Sequence, residues 1–405
     1  MKKCILFIFL LFFISPAFSQ TPSASDFLSD LEYLKDTLPQ KHKNLFLKIN
    51  KSDFENKINN IKLQVNELNY ETFTAELFKL IVSIGDEHTR IEPPYTKILP
   101  VQFDIFKKGI YVVGIDSAHA NQLTFELTRI NGQPIKSIIG RFKQVIQSEN
   151  KSYFEVWLLN FLNNPAFLKG LGILNSNEEA QYTFKNANGK ETEVILKSVL
   201  KTNNKKIELA NASNTTYSMG NQDNYWFKYN KAKGTLYFNY SRCQEDKNNP
   251  FSKFNESLFK EIETNHPNKI VLDLRTNSGG NSGVLSPFID TIKTSYLNKK
   301  GKLFVLIGKR TFSSALMNAI ELKRNTNAEL IGESTSGNIN HYGEVRGFTL
   351  PKTKIVVGYS TKYWENWKGK KGPLLPDVKI NYLIENFIQG KDEAMEYVYK
   401  QSRGN

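Results

Sequence analysis

Apolar residues first recur along the chain at helical spacing. Phe27, Leu31, Leu34 and Leu38 follow at steps of three and four, and Phe54, Ile58, Ile61 and Val65 repeat the pattern. Ser52 and Asp53 stand where the second helix would be capped. A third apolar-periodic segment runs from 70 to 84 and stops at Gly85. These segments predict a small helical module over residues 20–92, closed by Pro93-Pro94. Beyond it the period shortens. Segments 99–106 and 109–115 are rich in β-branched and aromatic residues, and 127–130 ends on the turn dipeptide Asn131-Gly132. Pro134 is placed to open a helix to about residue 146, and a second helix fits 153–162. Segments 180–184 and 191–197 flank Asn188-Gly189 as a hairpin would. The whole of 93–200 thus reads as a mixed α+β domain.

Residues 201–223 are poor in apolar side chains and read as a linker. From 224 to 405 short apolar runs alternate with helical patterns. Strands are expected at 235–240, 270–274, 303–307, 329–331 and 355–359, with helices at 252–264, 284–292, 313–324 and 392–401. Continuous apolar strands between helices predict a largely parallel, two-face-buried sheet, hence an α/β core.

The first residues follow a different logic. Lys2 and Lys3 precede an apolar run at 4–14, and Ala17-Phe18-Ser19 has the small-x-small form of a signal-peptidase site. Residues 1–19 therefore read as a signal peptide, too short to span a bilayer comfortably. The expectation is export to a periplasm or the cell exterior, with no integral membrane segment once the signal is removed. Of the two cysteines, Cys4 leaves with that segment, so Cys243 has no partner for an intramolecular disulfide and is expected to pack as a buried thiol. The formal charge of +14 becomes +12 without Lys2 and Lys3. Its lysines are scattered in short clusters such as 201–206, 299–302 and 368–371, with no basic helix interleaved with aromatics. That is a solvated surface, and no nucleic-acid partner is expected.

Three segments carry chemistry. Asp273-Leu274-Arg275-Thr276-Asn277-Ser278-Gly279-Gly280 follows a buried strand, and paired glycines at a strand end can turn bare N–H groups toward developing negative charge. Taken alone, Gly-Gly reads first as a tight turn needing positive φ. Gly308-Lys309-Arg310-Thr311-Phe312-Ser313-Ser314-Ala315 puts serines at a strand-to-helix turn, where a hydroxyl lies beside free N–H groups and the Ala315 N–H could be a second donor. Either serine would serve as an N-cap as well. Gly85-Asp86-Glu87-His88-Thr89 offers the base that serine needs. Among His42, His88, His119, His266 and His341, only His88 lies in a tight glycine-acid context, whereas His42, His119 and His266 have polar, surface-like neighbours. There is no Gly-x-Ser-x-Gly, His-Glu-x-x-His, Cys-x-x-Cys or P-loop, and no Ser-x-x-Lys containing Ser313 or Ser314. No metal or cofactor is expected.

Together these segments resemble the C-terminal-processing (tail-specific) serine protease family and its tricorn-type relatives. Residues 85–89 resemble that family's Gly-Asp-Gly-His-Thr element, and 273–280 its Asp-Leu-Arg-x-Asn-x-Gly-Gly strand end. Phe312-Ser313-Ser314 resembles the nucleophile segment, 331–337 the Gly-Glu-x-Thr-x-Gly turn after it, and Pro376-Asp377-Val378 a late signature. The resemblance implies a crotonase-like (ClpP-like) catalytic core with an N-terminal helical region and a PDZ-like middle domain. It implies Ser314 as nucleophile, His88 as general base, and an oxyanion hole from Ala315 with Gly279 or Gly280. The substrate would be a polypeptide, cleaved through a Ser314 acyl-enzyme. Asn338 stands where the Ser-Lys type carries lysine, which favours the Ser/His branch. No acid precedes Pro376-Asp377 within 368–372, which leaves Glu365, Glu344 and Glu87 as alternatives for a third member. A catalytically weak peptide-binding protein on the same fold is the alternative, and an esterase a third.

Overall fold

The computed structural model describes residues 21–147, 150–202 and 223–401. The signal segment 1–19 and the linker stretch 203–222 lie outside the described residues. Three helices open the chain: α1 (Ala24–Lys41), α2 (Lys51–Gln64) and α3 (Tyr70–Val82). Asn50 caps α2 and Asn69 caps α3, each side chain accepting backbone N–H bonds of the first turn. The short strands β1 (Arg90–Glu92) and β2 (Lys97–Ile98) follow.

An antiparallel sheet is then built from β3 (Val101–Phe106), β4 (Gly109–Ile115), β5 (Glu126–Ile130) with the stub β6 (Gln133–Pro134), β7 (Glu179–Lys185) and β8 (Glu191–Lys197). Helices α4 (Ile135–Phe142), α5 (Lys151–Phe161) and α6 (Pro165–Gly170) are inserted after β6, and β9 (Val199–Leu200) pairs with β2. Asn131 and Gly132 both adopt positive φ, as the two-residue turn requires.

The second half is the α/β unit. Its sheet runs β10 (Tyr225–Asn230), β11 (Thr235–Tyr240), β12 (Lys269–Asp273), β13 (Leu303–Ile307), β14 (Glu329–Gly332) and β17 (Val378–Lys379), parallel except for β10. Helices α7 (Phe251–Asn265), α8 (Ser286–Thr294) and α9 (Ser314–Asn325) make the crossovers. Alternate residues of each strand face opposite cores. Leu236, Leu272 and Val305 pack with Phe254, Phe288 and Leu316 of the crossover helices. Tyr237, Val271 and Phe304 pack instead on Met395 and Val398 of α11 (Glu393–Lys400), which follows α10 (Ile384–Ile388). The expected burial of the strands on both faces of the parallel sheet is therefore present.

One expected strand sits elsewhere. Segment 355–359 belongs to β16 (Val356–Glu365), which forms an antiparallel hairpin with β15 (Asn340–Thr349) and pairs with β1, outside the parallel sheet. The reason is packing: Val357 and Tyr359 are buried in the cluster formed by the N-terminal helices and the β3–β8 sheet. The hairpin thereby ties the C-terminal half to the N-terminal half. Among the described residues no helix is long and apolar enough to cross a membrane.

The end of β12 is anchored by a buried ion cluster. Arg275 Nη2 donates to Asp273 at 2.6 Å and to Asp392 at 2.8 Å, and Asp392 also caps α11. Removing one member leaves uncompensated buried charge, at a cost of about 3–5 kcal/mol. Arg275→Met should lower the urea unfolding free energy by that amount, and a change below about 1 kcal/mol would rule out this anchoring role.

Candidate active site

The loops that leave the parallel strands at their C-terminal ends converge, the usual place for a site in an open α/β sheet. After β12 the chain passes through Asn277, Gly279 and Gly280. Gly279 has φ +109 and Gly280 φ +135, conformations that side chains disfavour. Space forbids a side chain too, since a Cβ on Gly280 would lie 2.2 Å from the Cys243 carbonyl oxygen. Cys243 clamps this loop from the end of β11, its N–H donating to Gly279 O (3.1 Å) and its carbonyl accepting from Asn281 N–H (2.7 Å). Its thiol is buried, as expected, and burial pushes its pKa up to about 11. The Gly279 N–H is already engaged, donating to Asn277 Oδ1 at 2.9 Å. The Gly280 N–H makes no hydrogen bond among the described residues.

After β13 comes the serine turn. Ser313 adopts φ +50 and ψ −122, an unusual conformation for a residue with a side chain, and its hydroxyl makes no capping bond. Strain of this kind costs about 1–3 kcal/mol and gathers at functional sites. Ser314 opens α9 and is buried; its hydroxyl donates to Gly280 O at 2.7 Å. The Ala315 N–H donates back to Phe312 O (3.1 Å), whereas the Ser314 N–H has no partner among the described residues. A Cβ on Gly279 would lie 2.9 Å from Ser313 Cβ and 3.1 Å from Ser314 N, so this glycine lets the two loops touch.

His88 arrives from the N-terminal half. Its ring is stacked between Phe312, at a centroid separation of 4.4 Å, and His341, at 5.0 Å. Phe312 is the residue before Ser313, so the imidazole lies against the serine turn. The ring is buried, and neither nitrogen has a hydrogen-bond partner among the described residues. Burial, reinforced by His341, pushes its pKa down to about 3, so it stays neutral at ordinary pH.

The residues before His88 set its backbone. Burial alone would raise the Asp86 carboxyl, but bonds from His42 Nε2 (3.0 Å), Ser360 Oγ (2.7 Å), Thr89 Oγ1 (2.5 Å) and the His88 N–H (3.0 Å) hold it well below the usual carboxylate range. His42 is thus buried and structural, contrary to the surface position its polar neighbours implied. Its turn is pulled inward by that carboxylate and by Lys43 N–H donating to Ser360 O. Glu87 accepts from Asn338 N (3.2 Å) and Nδ2 (2.9 Å), and His341 Nδ1 donates to Asn338 O (2.8 Å). Glu365 and Glu344 are both exposed, and no carboxylate bonds a His88 nitrogen. His341 is a site neighbour that carries no local motif and was missed for that reason.

Fold and site define a mixed α/β protein in which a strained serine turn, a glycine strand end and a buried neutral histidine meet. It shares its fold with mature CPAF. The structure of mature CPAF complexed with lactacystin matches with a TM-score of 0.66 and 14% identity, over 93% of this chain and 97% of that one. Mature CPAF alone gives 0.65 and 13% over 93% and 96%, and a serine-to-alanine mutant of CPAF gives 0.66 and 12% over the same shares. No family model matches the sequence, and no curated protein matches it.

The buried imidazole predicts acid sensitivity with a definite sign. The unfolded chain takes up a proton below about pH 6.5 that folded His88 refuses until about pH 3, so stability falls as the pH drops through that window. Between pH 7 and 4.5 the parent should lose about 2–3 kcal/mol more than His88→Gln in urea unfolding. Equal losses would mean that His88 is protonated in the folded state.

Proposed function

We propose that this chain is an exported serine endopeptidase or processing peptidase of the C-terminal-processing family, in its tricorn-type branch, with a crotonase-like core and a PDZ-like middle domain. The observation that carries the reading is the strained serine turn facing unpartnered N–H groups, with a neutral imidazole stacked on the residue beside it. The shared fold with mature CPAF and the ordered series of motifs support the same reading.

In this proposal a serine hydroxyl attacks a peptide carbonyl while His88 takes its proton, water later releases the acyl-enzyme, and the oxyanion rests on backbone N–H groups. The resemblance alone points to Ser314, with Ala315 and Gly279 or Gly280 as donors. The hydrogen bonding favours Ser313 as the attacking residue. Its side chain is on the strained turn and free of capping, while the Ser314 hydroxyl is spent on Gly280 O. The donors then become the Ser314 and Gly280 N–H groups, since those of Ala315 and Gly279 are occupied. Neutral His88 is the form that can accept a proton. No carboxylate orients it; the Phe312–His341 stack does so instead.

The mature chain should cleave an unstructured protein such as casein, followed by gel and mass spectrometry. Ser313→Ala and His88→Ala should each lower turnover by at least about a thousandfold, and Ser314→Ala by no more than about tenfold. Loss confined to Ser314→Ala and His88→Ala would restore Ser314 as nucleophile. No cleavage by any preparation, with measurable peptide binding, would leave the binding-protein reading in its place.

A further inference from the structure

A cleft of about 710 Å³ lies between the antiparallel sheet and the α/β unit, within the size range of ligand pockets. Among the described residues its walls carry Lys107, Lys108, Lys143, Lys151, Lys309 and Lys379, against two carboxylates, Glu155 and Glu333. Six positive charges less two negative leave +4 on the lining. Both carboxylates are consumed internally, since Lys309 Nζ lies 3.0 Å from Glu155 and 3.3 Å from Glu333. Lys108 is paired with Glu385 and Lys151 with Glu155. Lys107, Lys143 and Lys379 are exposed and have no acidic partner among the described residues. The floor between them is apolar, formed by Phe106, Phe154, Leu158 and Ile380.

We infer that this cleft binds an acidic, partly apolar segment of extended polypeptide, an inference that rests on the peptidase reading and names the class of substrate it selects. The three unpaired lysines come from the β3–β4 turn, the end of α4 and β17, so they surround the floor and do not converge on one point. Among the described residues no arginine lines the cleft, and these supply no forked guanidinium of the kind that grips a single phosphate. Two of its walls are sheet edges. β3 ends the antiparallel sheet, but in the cleft its Ile105 N–H donates to Asp104 Oδ1 and its Ile105 O accepts from Lys309 Nζ; β17 ends the parallel sheet, and that edge can offer backbone groups to an added extended chain. Apolar floor, scattered cations and the β17 edge together match a polypeptide with alternating leucine and glutamate side chains. The cleft also adjoins the serine turn in the chain: Lys309 leaves β13 on the segment that becomes Ser313, and Glu333 and Ser334 leave β14 on the segment that reaches Gly337.

The test reads binding without turnover, so it stands apart from the fate of the peptidase assignment. A fluorescein-labelled dodecapeptide of alternating leucine and glutamate is titrated by anisotropy with the mature chain carrying Ser313→Ala and Ser314→Ala. The leucine–glutamine peptide of equal length is the control. The glutamate peptide should bind at least about tenfold more tightly at about 0.05 M salt, with most of the difference gone at about 0.5 M. Lys107→Glu, Lys143→Glu and Lys379→Glu together should abolish the preference. The corresponding Lys→Gln set, which adds no repulsion, should reduce it at least about threefold and decides the matter if the reversed set misfolds. Equal affinity for the two peptides, or an unchanged preference in the Lys→Gln set, would overturn the inference. Displacement of the peptide by an oligothymidylate of matched charge at equal concentration would overturn it too, marking a surface for any polyanion.

Discussion

The site depends on one backbone clamp. Cys243, at the end of β11, holds both sides of the glycine loop, and the Ser314 hydroxyl closes the same loop from the start of α9 through Gly280 O. Three consecutive elements of the parallel sheet are thereby locked at their C-terminal ends. The Cys243 N–H holds the peptide plane before Gly280, and the Cys243 carbonyl and the Ser314 hydroxyl hold the plane after it, so the positive φ of Gly280 is fixed from both sides. Neither glycine tolerates a side chain there, because Cβ positions would meet the Cys243 carbonyl and the serine turn. Sequence, backbone conformation and the exposure of the Gly280 N–H are one constraint seen at three levels.

A second knot places the histidine. Asp86 gathers His42 from the end of α1, Ser360 from β16, Thr89 and the His88 N–H into a single buried centre. Its carboxylate accepts four hydrogen bonds, enough to keep it ionised in spite of burial. Through it the helical N-terminus and the β15–β16 hairpin are joined behind His88. Tyr153 of α5 adds a bond to Glu87 O at 2.8 Å, and Asn338 occupies the Glu87 carboxylate. The histidine thus reaches the serine turn although more than two hundred residues separate them in sequence.

Much of this was legible in the chain. The helical spacing around Phe27 and Phe54, the Asn131-Gly132 turn and the apolar strands 235–240, 270–274 and 303–307 all describe local geometry, and local geometry is what periodicity encodes. The glycine strand end, the serine turn and His88 stood out because tight backbone conformations demand particular residues. What the sequence could not carry was tertiary. Segment 355–359 has the composition of a core strand and packs as one, but against a different core. His42 and His341 have ordinary neighbours in sequence and are buried by partners far along the chain. Ser313 and Ser314 are chemically identical, and only the destination of each hydroxyl separates them.

The features that defeat local reasoning are gathered at one place for a physical reason. A serine at positive φ costs about 1–3 kcal/mol, and a buried imidazole with two unpartnered nitrogens forfeits a comparable amount in lost hydrogen bonds. Neither would persist in a segment free to relax. Both are imposed from outside: the clamp at Cys243 holds the loop that faces Ser313, and the Asp86 knot holds the backbone of His88. Because the restraints act on His88 through its backbone and on Ser313 through neighbouring residues, both side chains keep their polar atoms free of these restraints. The Ser313 hydroxyl has no capping duty, and the His88 nitrogens have no hydrogen-bond partner among the described residues. In the proposed peptidase reading, the Ser313 hydroxyl and the His88 imidazole would gain hydrogen bonds when a reacting group enters, and interactions realised at that moment are the ones that accelerate a reaction.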